Sequence, residues 1–265
     1  MNLLAKWVRI ELKSIGLELS ADMAYKTNFF IKCLAVWTYD FVGPIVALLI
    51  YSTTLGIPGW GLYEFLLFQG TVTLVFGFGN TFAWSMTYKV IESIRDGEFD
   101  KYLVKPLNTL FYLFTESINS EGFAEIFAGC AIVVFAMAKL GLSLFSLDFL
   151  LYLVLVLAGF AFEMAISILV SSAAFLVVKS EALMNLYFKI SDFARYPLNV
   201  YSGGVRFFLT FIIPLGVSSF YPATILLKGA TSVLLLSTIL PVFVFCAVSI
   251  LLWNHAMKKY SSAGG

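Results

Sequence analysis

The sequence predicts an all-α integral membrane protein: a single transmembrane domain over residues 1–265 with six spans, an N-terminal interfacial helix and both termini in the cytoplasm. Three observations carry this. Hydrophobic residues make up 60% of the chain and charged residues 12%, about half the charged share of a soluble domain. Apolar runs recur that can cross the hydrocarbon layer, which takes about 20 helical residues. Lysine and arginine fall almost entirely on one side of those runs.

Within residues 1–32, Leu4, Val8, Leu12, Ile15 and Leu19 recur at helical spacing beside Trp7. This is the pattern of an amphipathic helix lying on the bilayer surface, and a helix packed on protein in water fits it as well. The same stretch holds eight charged residues rather than a short apolar core, so no cleavable leader is expected. The first span, 33–55, contains Asp40 as its only charge and runs into a turn at Gly56, Pro58 and Gly59. The second, 65–88, has no charge. A third is expected at 118–138, with Glu121 and Glu125 in its front half, and a fourth at 149–178, interrupted only by Glu163. Residues 179–206 read as a second cytoplasmic segment, with Leu183, Tyr187, Ile190 and Ala194 at helical spacing until Pro197 and the Gly203-Gly204 pair. The fifth span, 207–227, contains Pro214 and the sixth, 230–254, contains Pro241, each a candidate kink or re-entrant break. This topology puts 15 of the 17 Lys and Arg in the cytoplasm, leaving Lys139 and Lys228 outside.

Several function classes drop out. A net charge of +1 gives no reason to expect nucleic acid. No GxxxxGK[ST] loop occurs, so any ATP and Mg must be bound by another subunit. HExxH, GxSxG and paired Cys/His spacings are missing, one histidine (His255) disfavours acid–base catalysis, and Cys33, Cys130 and Cys246 are scattered over separate spans. The chain is therefore read as a non-enzyme that binds no metal or cofactor itself.

Residues 89–106 stand apart from the rest. Four acids and four bases crowd into these positions between two apolar segments. Ile91 and Ile94 share a helical face, Asp96-Gly97 can turn the chain, Phe99, Tyr102 and Leu103 form a second short apolar face, and Pro106 disfavours helix at Lys105. A solvated loop obeying the charge bias would need only the bases. The interleaved acids suit a complementary groove on a partner.

The stretch IESIRDGEFDKYLVKPLN resembles the segment after the second span in type-2 permeases of ATP-binding-cassette (ABC) exporters, through Glu92, Arg95, Gly97, Phe99, Asp100, Leu103 and Pro106. FARYPLNVYSGGVRFFLTFIIP with the later Tyr221-Pro222 is similar to a bacterial and archaeal branch of that family. The resemblance implies a permease in a prokaryotic plasma (inner) membrane, paired with a second copy or a homologous permease and docked on an ABC ATP-binding subunit. It further implies outward movement of an amphipathic or hydrophobic compound, lipid-linked molecule or peptide. Residues 89–106 would be the coupling helix, with Glu92, Arg95, Gly97, Glu98, Phe99, Asp100, Tyr102, Leu103 and Pro106 as its coupling residues.

The intramembrane acids leave alternatives open. A charged side chain at the bilayer centre costs about 2.5–3.5 kcal/mol on insertion scales, so Asp40 and Glu163 should face a cavity, the bundle or a partner. They would line a translocation pathway with Glu121 and Glu125, or be hydrogen-bonded structural acids. Glu121 and Glu125, four apart, suit the hydrated cytoplasmic end of their helix. An ion-coupled secondary transporter using these carboxylates and a non-transporting membrane scaffold are the competing functions.

Overall fold

The computed structural model describes residues 3–177 and 180–261, with side chains from Arg9 onward except Glu11 and Asp22. Every regular element among them is helical. Leu4, Trp7 and Val8 of the expected N-terminal stripe therefore lie outside the described side chains. Val178 and Lys179, where the expected fourth span ends and the second cytoplasmic segment begins, lie outside the described residues, as does the tail at 262–265.

In chain order the helices are α1 (Leu3–Met23), α2 (Lys26–Thr53), α3 (Leu62–Arg95), α4 (Asp100–Leu103), α5 (Thr109–Glu116), α6 (Glu121–Leu140), α7 (Leu147–Ala174), α8 (Glu181–Ser191), α9 (Gly203–Ile212), α10 (Phe220–Lys228) and α11 (Ser232–Met257). Five of them, α2, α3, α6, α7 and α11, are long and apolar enough to cross a membrane. Polar caps set several starts: Asn108, Ser146 and Thr231 each accept a backbone N–H from the first turn of α5, α7 and α11. α6 stops where Gly141 turns left-handed at φ +67°.

α3 is the axis of the fold and its most buried span, whereas α2 and α11 are the most exposed. It packs along α6 with almost no side chain between the backbones. A Cβ on Gly129 would lie 2.5 Å from the Leu74 nitrogen, one on Gly77 2.7 Å from the Ile126 nitrogen, and one on Gly122 2.6 Å from the Thr81 nitrogen. Small residues at such crossings allow the close backbone approach that drives helix association in lipid. α7 covers another side of α3 and pairs with α11 through Phe162 and Phe245, whose ring centroids lie 5.2 Å apart. Pro44 and Pro241 are accommodated inside the continuous helices α2 and α11.

Midway along α3 the turn Asn80–Trp84 widens to π-helical spacing. Such a bulge loosens the i→i−4 ladder and needs replacement partners. The Asn119 N–H donates to the Thr81 carbonyl at 2.9 Å, and the Ser167 hydroxyl of α7 donates to the Ala83 carbonyl at 2.8 Å. The Ser167 and Thr87 hydroxyls also bond at 2.7 Å. The bulge is thus pinned on both sides, and it turns Asn80 and Trp84 towards one cavity.

Two stretches depart from expectation. Residues 207–227 are not one helix: α9 ends at Ile212, a 3₁₀ turn follows at Leu215–Ser218, and α10 begins at Phe220. Pro214 has no N–H to donate and sits at the break. Residues 180–204, expected to be a second water-exposed helix, are α-helical only to Ser191, and one side of the stretch packs along α3 while the other is exposed. The Glu181 carboxylate meets Arg95 at one end of α3 at 3.0 Å. At the other end Asn199 accepts the Trp60 indole N–H at 2.9 Å and donates to the Pro58 carbonyl at 3.1 Å. Between them Met184, Tyr187, Ala194 and Leu198 are buried. Of the expected stripe, Tyr187 and Ala194 are buried, Ile190 is half-buried and Leu183 is exposed.

Candidate functional site

Two sites emerge, at different depths along α3. The first is the charged stretch at 89–106. α3 carries straight into it and stops at Arg95 through a Schellman motif: Gly97 sits at φ +73°, its N–H bonds the Ile94 carbonyl, and the Glu98 N–H reaches the Ser93 carbonyl at 2.8 Å. The reversal places Phe99 inward and fully buried, edge-on to Phe175 at 4.9 Å and to Tyr260 at 5.3 Å. Tyr102, also buried, packs on Phe99 and Tyr112. The short α4 is therefore bolted to the ends of α7 and α11. What it presents outward is Leu103, 41% exposed, Val104, 79% exposed, and the exposed Pro106. Glu92, Arg95 and Glu98 are exposed beside it, in pairs at Arg95–Asp96, 3.1 Å, and Lys101–Glu98, 2.7 Å. The hydrogen bond to Glu98 raises the pKa of Lys101 above its usual value. Lys89 leaves the group and donates to the Glu116 carbonyl.

Further along, a cavity of about 580 Å³ opens between α2, α3, α6, α7 and α8. Asp40 of α2, Glu125 of α6 and Glu163 of α7 all line it. Glu163 accepts the Tyr187 O–H at 2.8 Å and the Trp84 indole N–H at 3.2 Å, and the two rings stack at 4.7 Å. Glu125 accepts the Asn80 amide at 2.5 Å. Asp40 is 7% exposed, and its Oδ2 has no hydrogen-bond partner among the described residues. Arg195 reaches in from the stretch after α8. Its guanidinium lies over the rings of Tyr39, 5.3 Å from the centroid, and Phe76, 5.9 Å, and it pairs with Asp192 at 3.3 Å.

The structure thus gathers three of the four acids singled out from sequence. Glu121 stays apart, in an ion pair with Lys32 at 2.8 Å near the start of α6. The nine coupling residues divide: Phe99 and Tyr102 are buried anchors, Gly97 makes the reversal, Asp100 is half-buried, and Glu92, Arg95, Glu98, Leu103 and Pro106 are outward-facing. Sequence reading passed over Asn80, Trp84, Tyr187 and Arg195 as cavity groups. Asn80 had a usable signal, one of two carboxamides, with Gln69, in a charge-free apolar run. Arg195 was counted only for its sign. Among the described residues no cluster of His, Cys, Asp and Glu has the arrangement of a metal site.

Comparison with known proteins follows from this geometry. The family model for ABC-2 family transporter proteins matches residues 34–264, which include both sites. Comparison with curated proteins gives no match.

Proposed function

Because the chain belongs to the family of ABC-2 transporter proteins, of which it is a membrane component, we propose that it is the permease subunit of an ATP-driven exporter. ATP and Mg are bound and hydrolysed on a separate ATP-binding subunit. The permease works beside a second copy or a homologous permease in a prokaryotic inner membrane, and an amphipathic or hydrophobic cargo moves outward.

The observation that carries this reading is the build of α4. A protruding Leu103-Val104 pair flanked by exposed acids and bases is a docking element, and a docking element that transmits force must be stiff. Phe99 and Tyr102 supply the stiffness by tying it to α7 and α11. ATP-driven closure of the partner would push α4 and thereby tilt α3, α7 and α11, shifting the balance between inward- and outward-open states through differential contacts.

The same reading orders the membrane path. Six crossings result if the fifth is the stretch from Glu181 to Asn199, which spans α3 from Arg95 to Trp60. α9 and α10 then form a re-entrant hairpin on the outer side, closed by Pro214. Both termini stay in the cytoplasm with the charged island at residues 89–106. Twelve Lys and Arg fall inside, Lys139, Arg206 and Lys228 outside, and Lys189 and Arg195 within the crossing, so the positive-inside bias survives. The cavity lies along the pathway, with Asp40, Glu125 and Glu163 as its acids.

The test is a charge reversal on the docking face. Glu98→Lys with Asp100→Lys adds positive charge on the cytoplasmic side and leaves insertion intact. It should abolish co-purification of the ATP-binding subunit from detergent extracts of cells expressing both. A double variant that retains full association and transport would sink the coupling role of α4.

A further inference from the structure

The cavity has a chemistry of its own, which points to what it holds. Three buried or half-buried carboxylates from three helices face one space, and none forms an ion pair among the described residues. Two have neutral donors, Glu125 from Asn80 and Glu163 from Tyr187 and Trp84. Asp40 has none for Oδ2, although the residue is 7% exposed. An unpartnered carboxylate oxygen in such a place is costly unless something in the working cycle supplies its partner. Counted over the whole lining, four carboxylates, Asp40, Glu125, Glu163 and Asp192, stand against Lys189 and Arg195. An anion would meet an excess of acids, and a neutral donor could bond Asp40 Oδ2 without balancing that excess, whereas a cation does both.

The apolar part of the wall narrows the class further. Phe76, Trp84 and Phe188 contribute aromatic surface to the cavity. One wall already holds a delocalised cation, since Arg195 lies over the Tyr39 and Phe76 rings. Aromatic faces attract cations through the ring quadrupole, most strongly where water is scarce. A volume of about 580 Å³ is also in the range of sites for small organic molecules.

We propose that this cavity is the cargo seat and that its cargo is an amphipathic organic cation, with the positive charge against Asp40 and the apolar body against Phe76, Trp84 and Phe188. This rests on the transporter reading and adds the sign and shape of the cargo. Arg195 is then an internal competitor. It lies on the same aromatic wall and repels a cation that enters.

A matched pair of ions tests the proposal. Tetraphenylphosphonium and tetraphenylborate share shape and size and differ in the sign of their charge. Equilibrium binding of each is measured on the full chain in lipid nanodiscs. The wild type should retain the phosphonium and not the borate. Asp40→Asn should weaken phosphonium binding about tenfold, while Asp40→Glu, which keeps the charge, should stay within about threefold. Arg195→Gln should bind it about threefold more tightly, an effect that general damage to the fold would not produce. Equal binding of both ions, no binding of the phosphonium, or an Asp40→Asn protein indistinguishable from wild type would overturn the proposal. Association with the ATP-binding subunit is read on the same preparations. If docking persists while the phosphonium is ignored, the cation seat falls and the transporter reading stands. If docking is lacking while the phosphonium binds, the transporter reading falls and the cargo role falls with it.

Discussion

Around α4, charge is contiguous in sequence, exposed and paired with its nearest neighbours; in the cavity the acids come from separate helices, are buried or half-buried, and two of the three are held by neutral donors. The two arrangements differ in what they cost and so in what they indicate. Exposed pairs such as Lys101–Glu98, 51% and 61% exposed, contribute little to stability because water screens them, and a surface rich in them is available for a partner. Glu163, 1% exposed, had to be removed from water, and Tyr187 and Trp84 recover only part of that cost. The exposed cluster is cheap to carry and serves contact. The buried one is costly to carry, which makes it the stronger sign of a function inside the membrane.

The sharpest way to break that contrast is to delete a buried acceptor. Glu163→Ala leaves the Tyr187 hydroxyl and the Trp84 indole N–H unsatisfied in a closed environment, and thermal unfolding in detergent should show a loss of about 3–5 kcal/mol. Glu163→Gln keeps an acceptor of the same shape and should lose about 1–2 kcal/mol. If alanine is tolerated as well as glutamine, Glu163 is not the structural member of the acid group, and the distinction between it and Asp40 collapses. A smaller effect divides α4 itself. Phe99→Ala empties an aromatic site and should cost about 3 kcal/mol and also weaken docking, because α4 loses its anchor. Val104→Ala, at a position 79% exposed, should change stability by less than about 0.5 kcal/mol and still reduce capture of the ATP-binding subunit.

How much of this was legible beforehand also follows from the contrast. The island could be read directly, since its residues are neighbours in sequence and Gly97 and Pro106 mark its turns. The cavity could be read only in part. A lone acid in an apolar run signals that it must face something polar, so Asp40 and Glu163 stood out. That they share one space with Glu125 depends on the Gly77, Gly122 and Gly129 crossing of α3 and α6, and nothing local reveals a partner 38 or 85 residues away. The stretch at 180–204 shows the same limit. Its polar residues, Glu181, Lys189, Asp192 and Arg195, are exposed or half-buried and at the same time engage Arg95, the cavity and each other. Polarity in a membrane protein marks a hydrated or paired environment, and the sequence alone does not say which. The broken 207–227 stretch was easier, because Pro214 had already marked it as a candidate break.

The smallest expected effect concerns the one ion pair that joins the island to the stretch leading to the cavity. Arg95 sits 3.0 Å from Glu181, 3.1 Å from Asp96 and 3.8 Å from Glu92. It thus bridges the end of α3 and the start of α8. With side chains 56% and 58% exposed, Arg95 and Glu181 should show only a weak coupling in a double-mutant cycle with alanine, weaker still at high salt. Such a weak bond holds the two elements in register without locking them, as required if pressure on α4 is to reach α8 and the Arg195 wall of the cavity. A strong coupling that ignores salt would mean that α3 and α8 move as one rigid unit. The docking end and the cavity would then be two parts of a single body rather than two sites linked across a yielding contact.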